Sequence, residues 1–287
     1  MQHLQWFPGH MTAAVRMMEE NLKAVDGVII VLDARAPFAS VNAKLDKLFS
    51  GKKVLFVMNK CDLIEKADAL ATVKAFKSAG REAIAVSAMD KKAISLLYDK
   101  IFSLLKEKSE RNKAKGIFKP LRIMVAGIPN TGKSTIINAL CGGKKAVTGN
   151  KAGVTKGKQW VRLKELELLD TPGTMPPAFD NQVYARHLAY IGCMNDANLD
   201  FAELAAELIK ELIQIRPTAL TEKYGIENTA APVSEIMEGI CKRRGFLSRG
   251  GEYDYDRCAT AIIDDFRKCR IGKIMLDALP EDTQNNG

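Results

Sequence analysis

The run Gly127-Ile128-Pro129-Asn130-Thr131-Gly132-Lys133-Ser134 has the spacing G-x-x-x-x-G-K-[ST], follows an apolar stretch and opens a helical one. Glycines at both ends let the backbone turn its N–H groups inward around phosphates. Lys133 adds charge at the β and γ oxygens, and Ser134 is placed to ligate Mg²⁺. Asn130, Thr131, Gly132, Lys133, Ser134 and Thr135 are thus candidate phosphate contacts. Asp170-Thr171-Pro172-Gly173 ends another apolar stretch. Asp170 can hold the metal through water, and the Gly173 amide can meet a γ-phosphate. Asn59-Lys60-Cys61-Asp62 ends a third. In N-K-x-D the carboxylate of Asp62 accepts from guanine N1–H and N2–H₂ while the stem of Lys60 packs on the ring. Adenine offers no such donor pair and is rejected because the carboxylate would go unpaired. Ser87-Ala88 fits the loop whose backbone N–H reaches guanine O6. These segments predict a guanine-nucleotide site with Mg²⁺.

Such a site needs a scaffold. Short continuous apolar runs at 28–32, 54–58, 83–86, 123–126 and 166–169 predict strands buried on both faces, hence a parallel sheet. Helices are expected between them at 11–24, 41–49, 66–79, 93–110 and 133–140. The alternation gives a doubly wound α/β fold. After Gly173 the strand signal stops, and helices are expected at 181–191, 201–215, 233–243 and 257–269. We therefore expect an α/β nucleotide domain over 1–180 and a small all-α domain over 181–287.

The order of the motifs is unusual. The base-reading segments, 59–62 and 87–88, precede the phosphate loop at 127–134. A parallel sheet cut at one loop and rejoined at another can still assemble one site. The old termini would be bridged by the basic linker 106–122, and the new break falls just after Gly173. That linker, rich in Lys and Arg, reads either as a solvated connector or as an RNA-facing strip.

Composition narrows the classes. The 287 residues carry 43 Lys+Arg against 34 Asp+Glu, a net +9 that makes a polyanion such as nucleic acid a plausible partner. The six cysteines (61, 141, 193, 241, 258, 269) are scattered, which argues against structural zinc or disulfides and fits a reducing, cytoplasmic setting. No apolar run is long enough to span a bilayer, and the N-terminus lacks the pattern of a leader peptide.

Trp6-Phe7-Pro8-Gly9-His10-Met11, Asp33-Ala34-Arg35, Asn59–Asp62, Gly127–Ser134, Gly153-Val154-Thr155 and Asp170–Gly173 occur in a recognisable order. With Tyr224-Gly225, Lys242-Arg243-Arg244-Gly245 and Gly250-Gly251, the sequence resembles the ribosome biogenesis GTPase A family, the YlqF type of circularly permuted P-loop GTPase, over essentially its whole length. The resemblance implies a GTP-hydrolysing switch that binds GTP and GDP and promotes late assembly of the large ribosomal subunit. Its precursor particle would be met through an RNA-binding helical domain. Thr155 would complete the Mg²⁺ shell, and K⁺ would stimulate through Asn130, a residue that could equally cap its loop. His10 is implied as the catalytic group. Lys242, Arg243, Arg244 and Arg249 are candidate rRNA contacts, and the protein is expected to be a cytoplasmic monomer off the ribosome, with no membrane partner.

Two departures stand out. Thr174 occupies the position of the water-orienting Gln of ordinary small GTPases and is too short to do its work. The stretch Ala36–Ala43 lacks the Pro often seen after its Asn. A metabolic GTP-using enzyme and a protein-binding signalling GTPase are the alternatives. The first would need an Asp/His/Cys constellation that the spacing of the C-terminal region does not reveal.

Overall fold

The computed structural model describes residues 10–142, 159–163, 165–176 and 178–280. Its first half runs α1 (His10–Leu22), β1 (Gly27–Asp33), α2 (Ala43–Leu48), β2 (Lys53–Asn59), α3 (Lys66–Ser78), β3 (Glu82–Ala85), α4 (Lys91–Leu104) and α5 (Lys106–Ala114). Then come β4 (Leu121–Ala126), α6 (Lys133–Leu140), β5 (Gln159–Leu163) and β6 (Leu166–Asp170). The six strands lie in the order β3-β2-β1-β4-β6-β5. All neighbours are parallel except β5 and β6.

The continuous apolar runs become strands because both faces of the sheet are covered. In β1, Val28, Ile30 and Leu32 pack with Met18 of α1, Leu45 of α2 and Phe76 of α3. Ile29 and Val31 point the other way, to Leu97 and Ile101 of α4 and Ile136 and Ile137 of α6. Leu97 is fully buried, so truncating it to Ala would cost roughly 2–5 kcal/mol.

Two elements of this half differ from the sequence reading. Strand β5 was not expected: Gln159-Trp160-Val161-Arg162-Leu163 alternates instead of running apolar, because an edge strand buries one face only, with Val161 inside and Arg162 exposed. The expected helix 93–110 breaks at Leu105, where α4 hands over to α5. The basic linker is, as the expected helix running to 110 implies, a helix end followed by a connector: α5 reaches Ala114, residues 115–120 connect, and β4 has begun by Leu121.

The C-terminal region is helical: α7 (Gln182–Tyr190), α8 (Phe201–Ile215), α9 (Ala219–Tyr224), α10 (Val233–Arg244) and α11 (Tyr255–Arg267). Helix α9 was also unforeseen; it is a six-residue piece ended by Gly225. Leu188, Leu208, Leu212, Ile240, Ile262 and Phe266 form the core here, and it continues into Met11, Ala36, Ile128 and Met175 of the first half. The chain then returns to the sheet. Leu276 N–H donates to Arg35 O at 2.7 Å, and Met275 joins the cluster under β1 and β2. Among the described residues no helix is long and apolar enough to cross a membrane.

Candidate functional site

Because β1, β2, β3, β4 and β6 are parallel, the loops that follow them open on one edge of the sheet. Asp33-Ala34-Arg35 follows β1, Asn59–Asp62 follows β2, Ser87-Ala88 follows β3, the phosphate loop follows β4, and Asp170–Gly173 closes β6. The fold thus brings together the segments that the sequence scatters.

At the base end, Asn59 is buried and braces two loops. Its Nδ2 donates to Thr131 O at 2.9 Å, and its Oδ1 accepts from Ala88 N–H at 3.1 Å. The Ala88 amide, expected to face the base, is thus held by Asn59, and a base oxygen would share that donor. Gly132 sits at φ 92° with the Asn59 amide where a Cβ would go, so any side chain there would be strained and would displace that amide. Lys60 Nζ donates to Asn130 O at 2.7 Å and to Asp33 Oδ2 at 2.8 Å, stretching its stem from the second loop to the phosphate loop. Asp62 stands exposed on the short 3₁₀ turn Cys61–Leu63, and Ser87 is buried.

At the phosphate end, Lys133 begins α6, whose N-terminus favours anions. Its Nζ is buried and donates to Ile128 O at 2.8 Å. Burial pushes this ammonium down to about 8, against the pull of Asp170. Thr131 donates to Ile128 O at 3.1 Å, and Thr135 lies half-buried in the first turn of α6. Ser134 Oγ donates to Asp170 Oδ2 at 2.7 Å. That pair offers Mg²⁺ the hard oxygens it prefers, beside a lysine suited to phosphate, so the residues present fit the ion. Bound Mg²⁺ would neutralise charge on the phosphate oxygens. Gly173 packs flat on the phosphate loop: a Cβ there would lie 2.7 Å from Pro129 Cα.

Thr155 lies outside the described residues, as does Trp6–Gly9. His10 is the first residue of α1, and its side chain is likewise outside them. The following residue is informative. Met11 is buried, and its Sδ accepts from Met175 N–H at 3.2 Å, so the start of α1 seats on the segment just past Gly173. Thr174 is fully buried, with its N–H on Gly127 O at 3.2 Å and its carbonyl accepting from Asn42 Nδ2 at 3.0 Å. Its hydroxyl has no hydrogen-bond partner among the described residues.

Sequence reasoning gave Asp33 and Arg35 no chemical role. In the fold they form a buried bidentate pair, Nε to Oδ1 at 2.9 Å and Nη2 to Oδ2 at 2.8 Å. Burial alone would raise the Asp33 carboxyl, but Arg35 and Lys60 outweigh it and hold it well below the usual carboxylate range. The signal available was an acid and a base directly after a fully apolar strand. Arg35 also donates to Ile191 O at 3.3 Å and Arg267 O at 3.2 Å, while Asn130 Nδ2 donates to Gly192 O at 2.6 Å. Arg267 caps Ala189 O and Tyr190 O at 2.8 and 3.0 Å. The orphan carbonyls at the end of α7 are therefore met by cations and by the phosphate loop itself.

A second cluster was invisible because its members lie far apart in sequence. His187 of α7 is clamped between Asp277 (Nδ1–Oδ1 2.6 Å) and Glu211 of α8 (Nε2–Oε2 2.8 Å). Asp277 Oδ2 also accepts from Phe38 and Ala39 N–H at 2.7 and 2.9 Å. This Asp/His/Glu cluster holds no Cys and is not the Asp/His/Cys constellation sought in the sequence; it is enclosed, and it fastens the C-terminal segment to the first half. Among the proposed RNA contacts, Lys242, Arg243 and Arg249 are exposed. Arg244 is exposed as well, while its Nη1 lies 3.7 Å from Asp265 Oδ2 and its guanidinium over Phe246.

Residues 122–228 match the family described as 50S ribosome-binding GTPase. The chain is 37% identical to ribosome biogenesis GTPase A of Priestia megaterium, across 96% of each. It is 36% identical to the Bacillus cereus protein of the same name, over 97% of this chain and 95% of that protein. The crystal structure of GNP-bound YlqF from T. maritima superposes with a TM-score of 0.63 at 27% identity, covering 92% of this chain and 97% of that one.

Proposed function

The chain belongs to the ribosome biogenesis GTPase A family, and on that premise we propose that it is a GTP-driven switch that binds the rRNA of a large-subunit precursor and promotes its late assembly. The coarser activity is established by family: it is a circularly permuted GTPase of ribosome biogenesis that binds GTP and GDP and uses Mg²⁺. The observation that carries the finer reading is the pair of adjacent carbonyls past α7. Ile191 O holds Arg35 and Gly192 O holds Asn130, so a nucleotide-dependent shift of the phosphate loop reaches the helical region directly.

In this reading residues 1–180 are the switch and 181–287 the RNA-binding part, working as a cytoplasmic monomer off the particle. Asn130, Thr131, Gly132, Lys133, Ser134, Thr135, Thr155 and Gly173 take the phosphates, with Ser134, Thr155 and Asp170 serving Mg²⁺ and Asn130 serving K⁺. Asn59, Lys60, Asp62, Ser87 and Ala88 read the base. Lys242, Arg243 and Arg249 meet rRNA, with Arg244 at the edge of the same patch.

Thr174 is sealed in the interior and cannot orient a water. The contact of Met11 with Met175 brings the start of α1 beside that segment, which supports His10 as the residue that acts in hydrolysis. An imidazole can donate or accept near neutral pH. Single-turnover GTP hydrolysis with and without purified large ribosomal subunits tests this. Subunits should accelerate the wild type, and His10→Ala should lose about 10²-fold of the accelerated rate with nearly constant GTP affinity. Equal accelerated rates would move the catalytic group to the particle.

A further inference from the structure

The sheet edge opposite the nucleotide loops carries a feature that GTP chemistry does not use. A concavity of about 460 Å³ lies between α5 and the turns before β1 and β2, lined by Lys23, Lys52, Lys53, Lys108 and Arg111 with Asp26 and Glu107 among its acids. Lys108 lies 3.5 Å from Asp26, and Lys52 donates to Val25 O at 2.8 Å. Lys23, Lys53 and Arg111 have no ion pair among the described residues, and neither have Lys113, Lys115 and Lys119 beyond them.

Helix α5 itself buries no residue. A nine-residue helix that is polar all round is too short to be secured by its own hydrogen bonds in water. Its Lys108 and Arg111, with Lys115 at its end, are spaced three and four apart and share one face. The connector then presents Phe118 at 88% exposure between Lys115 and Lys119. An aromatic ring this bare, set among lysines, combines a stacking platform with phosphate contacts, the pairing that single-stranded nucleic acid requires.

We infer that this edge, from Lys23 and Lys53 across Arg111 and Lys115 to Phe118, is a second RNA-binding surface that grips backbone phosphates and stacks an unpaired base. The inference rests on the reading of an RNA-containing particle as the partner. It adds a contact on the nucleotide domain, at the amino ends of the strands and roughly 20 Å from the GTP loops by strand length. RNA held there leaves nucleotide entry open.

The test uses the full chain and a fluorescent 20-nucleotide polyuridylate, with anisotropy followed across salt concentration. Lys53→Gln/Arg111→Gln/Lys115→Gln is compared with Lys66→Gln/Lys74→Gln/Lys77→Gln on α3, which removes the same charge elsewhere. The first triple variant should flatten the log–log salt slope by about 2, at roughly 0.7 per phosphate contact. Phe118→Ala should weaken binding roughly tenfold. Basal GTP hydrolysis should stay at the wild-type rate in both. A slope equal to that of the α3 variant, or unchanged affinity in Phe118→Ala, overturns the inference. So does a loss confined to large-subunit co-sedimentation with polyuridylate binding intact, which would mark a protein contact. Wild type that binds polyuridylate but no large subunits would instead refute the proposed function.

Discussion

His187→Gln should remove a pH dependence that the fold builds into the fastening of its C-terminal segment. Both ring nitrogens face carboxylates, at 2.6 and 2.8 Å, and only the doubly protonated imidazole donates to both. Burial disfavours that charge, but the bonds to Asp277 and Glu211 outweigh burial and raise the group from 6.5 to about 9. A raised folded value gives stability that is complete below 6.5 and is lost as pH climbs through about 9. The interval is worth about 3 kcal/mol, close to 1.4 kcal/mol per pH unit. Arg186, Tyr184, Tyr190, Glu211 and Asp277 surround the ring. Burial pushes both tyrosines up, away from this window, while Glu211 is held below the usual carboxylate range by His187 and Arg186 despite burial. The assay is urea unfolding from pH 6 to 9.5. The wild type should lose about 3 kcal/mol relative to His187→Gln across that range. A stability difference that stays level with pH would show that the ring is neutral in the folded chain.

Three further outcomes follow from the site. Asp62→Asn should weaken GTP binding and favour xanthosine triphosphate, whose altered edge complements an amide; a titration with unchanged GTP affinity would remove Asp62 from base reading. Arg35→Met should cost about 3–5 kcal/mol in urea unfolding, because it strips the buried Asp33 of its bidentate partner. The exposed Arg16–Glu20 pair sets the comparison: Arg16→Ala should cost under about 0.5 kcal/mol, and an equally small loss for Arg35→Met would show that Lys60 suffices. Lys133, at about 8 in the ligand-free chain, should regain its proton when phosphate arrives. Above pH 8 GDP binding should therefore take up a proton and weaken by up to about tenfold per pH unit. Calorimetry in two buffers of different ionisation enthalpy reads this, and equal heats would contradict it.

The sheet and its site loops were legible because chemistry and burial leave local marks. Continuous apolar runs mark β1, β2 and β4, and each ends in the polar residues that line the site. What stayed hidden was non-local or one-sided. Strand β5 alternates because it lies at an edge, and its pairing to β6 depends on tertiary contact. The break at Leu105 comes from tertiary packing, with Leu105 buried in the core and α5 leaving it. The His187–Glu211–Asp277 clamp joins residues that only the folded chain brings together. Asp33 and Arg35 were visible as a motif, yet their work, tying Lys60 to the carbonyls past α7, depends on partners that only folding brings near.

The central claim is that GTP at the loops controls engagement of a large-subunit particle. Co-sedimentation of the full chain with purified large ribosomal subunits tests it most directly, run with a non-hydrolysable GTP analogue, with GDP and without nucleotide. Firm binding is expected with the analogue and weak binding in the other two. Equal binding in all three, or none in any, would contradict it.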